Sequence, residues 1–101
     1  MQVSKDLPAI QQRIDTLLSA GFEVRLQHYT DLEEELNGND IKAETNFVIY
    51  NEHTGAYASG RATCSDKDEF CKKIGTQIAF NRTIHALSRN IGRKKVVALF
   101  A

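Results

Sequence analysis

Two cysteines, three histidines and a run of carboxylates are the side chains of this sequence whose chemistry could be catalytic or metal-binding. Cys64 and Cys71 are seven positions apart, one at the end of a strand-like segment and one in the first turns of a helix-like one. His28, His53 and His85 are scattered, so no ligand pair has the short spacing of a zinc site. A helix start would acidify Cys71, but Asp66, Asp68 and Glu69 beside it oppose that effect, and a thiolate nucleophile is not indicated. The segment 31–40 carries Asp31, Glu33, Glu34, Glu35 and Asp40, in a spacing that does not match a calcium loop. The sequence has no glycine-rich phosphate loop, no histidine pair at helical metal spacing and no nucleophile elbow. It reads as a non-enzymatic chain needing no metal and no cofactor, with His28 a partly exposed strand residue and His53 an exposed loop residue.

Charge is the stronger signal. The 101 residues carry 13 Lys and Arg against 13 Asp and Glu, but residues 1–52 hold four basic and ten acidic side chains, and residues 53–101 hold nine and three. Opposite halves can attract each other within one fold, or they can form an acidic and a basic pole on one surface. The second reading assigns phosphate contacts to Lys72, Lys73, Arg82, Arg89, Arg93, Lys94 and Lys95, with Arg61 as an addition. Such contacts are directed at the backbone of a nucleic acid and weaken steeply with salt. Most of the eight aromatics are expected in the core, which favours duplex over single-strand binding. The alternative makes Asp31, Glu33, Glu34, Glu35 and Asp40 a surface that grips a basic host protein, for instance one acting in defence or transcription. A two-ended charge distribution also suits a homodimer.

The elements that must position these residues follow from periodicity. A hydrophobic fraction of 42% and a charged fraction of 26% describe an ordinary soluble single domain. No apolar run approaches the roughly 20 residues of a membrane span, and the N-terminus lacks a secretory pattern, so a cytoplasmic setting is expected. Leu7, Ile10, Ile14, Leu17 and Leu18 recur at helical spacing over roughly 7–20, with Asp6 as the expected cap, Pro8 in the first turn and Gly21 as the stop. Phe22, Val24 and Leu26 alternate with Glu23, Arg25 and Gln27 in a strand with one buried face. The acidic segment 31–40 reads as a loop or short helical turn, punctuated by Asn37, Gly38 and Asn39. A central strand over 41–51 and a short hairpin loop ending at Gly55 follow. The strand 56–64 has Ala56, Ala58, Gly60, Ala62 and Cys64 on one face, where a helix is expected to pack closely.

A long helix is expected over 66–91, with Ser65 and Asp68 as a capping pair and Asp66, Asp68 and Glu69 favoured by the helix dipole. Its apolar positions fall into two groups, Phe70, Ile74 and Ile78 early, and Phe80, Ile84, Leu87 and Ile91 late. Gly75, Arg82 and Arg89 share a line opposite the second group. Val96 to Phe100 reads as a final short strand or an apolar tail on the core. The fold class is α+β, in the order αβββα with an optional last strand: a three- or four-stranded antiparallel sheet with two helices on one face.

Two resemblances accompany this reading. The helix–strand–strand–strand–helix order is similar to the double-stranded RNA-binding domain, and Lys72-Lys73-Ile74-Gly75 resembles its helix motif of two lysines, any residue, then alanine. That resemblance implies phosphate contacts from Lys72 and Lys73. Here, however, the lysines follow an acidic first turn, and the acidic segment 31–40 replaces the family's histidine-bearing loop. The stretch Gly60-Arg61-Ala62-Thr63-Cys64-Ser65-Asp66-Lys67-Asp68-Glu69-Phe70, then Gly75, Ile78-Ala79 and Arg82, resembles a strand-to-helix signature of small uncharacterised bacteriophage proteins. It covers roughly a third of the chain and implies a phage origin and a host cytoplasm, without a mechanism.

Overall fold

The structure is a computed structural model that describes residues 3, 7–30, 32, 34–36, 38–65 and 72–101. Its elements are α1 (Pro8–Ser19), β1 (Glu23–Tyr29), β2 (Glu34–Leu36), β3 (Asn39–Tyr50), β4 (Tyr57–Ser65), α2 (Lys72–Ile91) and α3 (Arg93–Leu99). The class is α+β, as the periodicity predicts. Asp66, Asp68, Glu69 and Phe70 lie outside the described residues, as does Asp6, and of the expected capping pair only Ser65, the last residue of β4, is described. Among the described residues no helix is long and apolar enough to cross a membrane.

Helix α1 starts with Pro8 in its first turn, where a missing N–H costs nothing. It ends in two back-bonds, Phe22 N–H to Leu17 O at 3.0 Å and Gly21 N–H to Leu18 O at 3.1 Å. That closure needs a left-handed residue at position 21, and Gly21 has φ +92. Ile14 and Leu17 are fully buried beneath this helix.

Strand β3 is twelve residues long, roughly 40 Å when extended, and matches the 39 Å long axis of the molecule. It pairs antiparallel with β1 and β2 end to end along one edge, and with β4 along the other. The expectation of a loop over 31–40 is therefore corrected in part. Leu36 pairs with Asn39 across a two-residue connection in which Gly38 has φ +79, the closure that an Asn-Gly pair favours. The extra strand is thus β2, not the C-terminal run.

The C-terminal run is helical. Val96, Leu99 and Phe100, at helical spacing, pack on the core, and Arg13 lies 5.3 Å over the Phe100 ring. A final strand on β4 would have to displace two groups of α2 from that edge. Asn90 Oδ1 accepts the Tyr57 N–H at 3.3 Å, and Arg82 Nη1 donates to Arg61 O at 2.6 Å. Side chains of this kind blunt an open sheet edge.

One sheet face is covered by the helices. Phe47 and Ile49 of β3 and Ala58 and Ala62 of β4 are buried there, with Phe47 and Phe80 meeting edge to face at 5.2 Å. The small-sided face of β4 does admit a helix. A Cβ built on Gly60 would lie 2.2 Å from Ala79 O and 2.5 Å from Thr83 Oγ1. Thr83 is fully buried and donates to Ala79 O at 2.7 Å, with Phe47 O 3.2 Å away.

This closeness corrects the first apolar stripe of the long helix. Ile74 is 53% exposed and Ile78 39%, while Gly75, Thr76 and Ala79 are buried in their place. An interface at near backbone contact holds small residues and leaves branched ones outside. The second group is placed as expected, with Phe80 and Leu87 buried and Ile84 and Ile91 partly so.

Gly60→Ala should therefore lower unfolding free energy by about 3 kcal/mol, because the clash is with helix backbone that cannot rotate away. Gly55→Ala, where φ is +75 but no atom lies within 4 Å, should cost only about 1 kcal/mol. Urea unfolding of both variants checks the difference, and equal midpoints would contradict it.

Candidate nucleic-acid interface

Helices α2 and α3 carry the basic positions. Lys72, Lys73, Arg82, Arg89, Arg93, Lys94 and Lys95 are all exposed, and among the described residues none has a carboxylate partner. The fold does not gather all seven. Helix α2 rises about 1.5 Å per residue, so Lys72 and Arg89 stand roughly 25 Å apart along it. At about 100° per residue, Arg82 and Arg89 lie within about 20° of each other, and Lys73 is about 180° from Arg82. Gly92, at φ +98, turns the chain between α2 and α3 and sets Arg93, Lys94 and Lys95 directly after Arg89. The α2–α3 junction is thus where the basic residues concentrate.

Arg82 and Arg61 are committed elsewhere. Arg82 holds the β4 edge through Arg61 O, and the Arg61 guanidinium pairs with Glu44 on the opposite sheet face. Of the acidic alternative, Asp31 and Glu33 lie outside the described residues. Glu34 and Glu35 sit on β2, and Asp40 is exposed at the start of β3. Since α2 returns antiparallel to β4, that hairpin and the α2–α3 junction occupy opposite ends of the sheet. The charge asymmetry is therefore only partly spatial: Arg89, Arg93, Lys94 and Lys95 concentrate at the junction end, where Glu23 and Glu52 are also exposed, while Lys72 and Lys73 start α2 at the hairpin end.

The second sheet face bears no helix, and the sequence reading assigned it no role. Tyr29 and Tyr50 are each 40% exposed there and Tyr57 is 51% exposed, so three of the eight aromatics lie outside the core. The signal was present in the alternation. Tyr57 shares parity with Ser59, Arg61 and Thr63, and Tyr29 with Glu23, Arg25 and Gln27, all on the face opposite the apolar set. An open cleft of about 580 Å³ lies at the same end as the basic junction, between the β3–β4 turn and α3, with Asn51, Asn90 and Lys95 among its walls.

On the covered face, at the start of α2, His28 Nδ1 and Thr45 Oγ1 share a hydrogen bond at 2.9 Å. Burial first, and the charge of Lys72 second, hold the imidazole below its ordinary pKa of 6.5. The unfolded chain then binds a proton more readily than the folded one. The His28 contribution is present above about pH 6.5 and is lost as pH falls through the lower folded value. The melting temperature should fall between pH 7 and pH 5 less in His28→Gln than in the wild type. Identical pH profiles would contradict this.

Compared with protein-family models, curated proteins and solved structures, the chain matches none, and its function rests on its own surface chemistry.

Proposed function

We propose that this chain is a non-enzymatic nucleic-acid-binding protein whose contact surface is the α2–α3 layer. One observation carries the reading. From Lys72 to Ala101 the chain holds seven Lys and Arg residues and no Asp or Glu, and all seven cations are exposed. A stretch with seven exposed cations and no Asp or Glu, four of the cations concentrated at the α2–α3 junction, has a polyanion as its natural complement. Arg89, Arg93, Lys94 and Lys95 are the gripping group. Lys72 and Lys73 extend the field along the helix, and Arg82, tied to the β4 edge, contributes charge from a fixed position. Together with the phage-type signature of the strand-to-helix junction, this describes a small accessory protein that engages nucleic acid in a host cytoplasm.

Phosphate contacts release condensed counterions, so four such contacts give a slope of roughly −3 when log affinity is plotted against log salt. Arg89→Ala/Arg93→Ala should flatten that slope by about 1.5 and weaken binding of all sequences alike. Fluorescence anisotropy with labelled oligonucleotides from low to physiological salt measures both. Absence of binding by the wild type at low salt would overturn the proposal.

A further inference from the structure

We propose that the uncovered sheet face next to the basic junction stacks unpaired bases, so that the nucleic acid engaged is single-stranded. This rests on the reading of the α2–α3 layer as the phosphate-binding surface. Tyr50 and Tyr57 are register partners on β3 and β4. The next pair outward is hydrogen-bonded, Asn51 N–H to Ala56 O at 2.9 Å. Alternation along an antiparallel ladder makes Tyr50 and Tyr57 a non-hydrogen-bonded pair, the kind whose side chains lie closer together. The result is two adjacent exposed phenol rings on a rigid ladder.

The same end of the sheet receives the end of α2. Asn90, which accepts the Tyr57 N–H, is flanked by Arg89 and stands three positions before Arg93. Cations and rings are therefore neighbours across the β4 edge. A strand with its phosphates along Arg89 and Arg93 can turn its bases over that edge onto Tyr57 and then Tyr50. Arg25 and Val48 form the adjacent row with Ser59, a cation and an apolar surface continuing the path. Of the carboxylates around this face, Glu44 is paired with Arg61, Glu23 borders Tyr50 on the β1 side, opposite the β4 edge, and Glu52 is exposed in the β3–β4 turn, so the phosphate path runs along the Arg89 and Arg93 side. Paired bases in a duplex are already stacked and cannot use such rings, whereas every unpaired base has a face to offer. The rest of the surface, including Gln27, Asn46, Ser59 and Thr63, is too polar for a large apolar protein contact.

The chain has no tryptophan, so its intrinsic emission comes from Tyr29, Tyr50 and Tyr57, all on this face. Titration with a single-stranded 12-mer and with the matching duplex should quench that emission with the single strand only. The single strand should also bind more tightly. Tyr50→Ala and Tyr57→Ala should each weaken single-strand binding on the order of tenfold, leave duplex binding unchanged, and be rescued by Phe at the same position. Phe variants also separate loss of stacking from loss of folding. Unchanged single-strand affinity in the Ala variants, with dependence on Arg89 and Arg93 intact, would overturn this inference and leave the phosphate-binding surface standing. A dimer in light scattering that dissociates in the Ala variants would assign the face to a second copy and overturn it too. Failure of the wild type to bind either oligonucleotide would overturn both proposals.

Discussion

The approach of α2 to β4 is the constraint on which the rest of this structure depends. At Gly60 the helix backbone comes so near that no Cβ fits between Ala79 O and the strand. That contact dictates which helix residues face inward. Gly75, Thr76, Ala79 and Thr83 are small enough, and the fully buried Thr83 hydroxyl remains satisfied by donating to Ala79 O. Larger apolar residues enter only further along, where Phe80 meets Phe47 and Leu87 reaches the core. The cost of a glycine within a helix and of alanine-rich strand positions is offset by dense packing across a large shared surface.

The proposed function draws on the same geometry. A helix pressed onto β4 brings Asn90 and Arg82 to that strand's edge, where both bond its backbone. The open edge is thereby protected from pairing with another strand. The basic end of the helix is also fixed beside the end of the sheet that carries Tyr50 and Tyr57. With the helices on one face, the opposite face stays open. Exposed cations and the exposed Tyr50 and Tyr57 then meet at one corner of the molecule, with the β2–β3 hairpin at the far end of the sheet.

Much of this was legible in the sequence, for reasons that can be named. Alternation at Phe22, Val24 and Leu26, and the glycine stop at Gly21, depend on local geometry alone, and both appear as expected. The small-sided face of β4 pointed correctly to a close helix. The inward face of early α2 was misread because a wheel ranks residues by hydrophobicity, whereas an interface at backbone contact selects for size, and Ile74 and Ile78 were too large. The run from Val96 to Phe100 was ambiguous since five apolar-rich residues satisfy either period, and only the occupied β4 edge decides for a helix. The expectation that most aromatics lie in the core leaves open which ones do not, and the parity of Tyr29 and Tyr57 already sets them opposite the apolar set.

The central claim is that nucleic acid meets the corner formed by the α2–α3 junction and the adjacent end of the sheet. Amide chemical-shift mapping of the isotope-labelled chain against an oligonucleotide tests it most directly. The account places the largest shifts at Arg89–Lys95, Tyr50 and Tyr57, with the β2–β3 hairpin unmoved. Shifts centred on Glu34–Asp40, or spread evenly over the molecule, would contradict it.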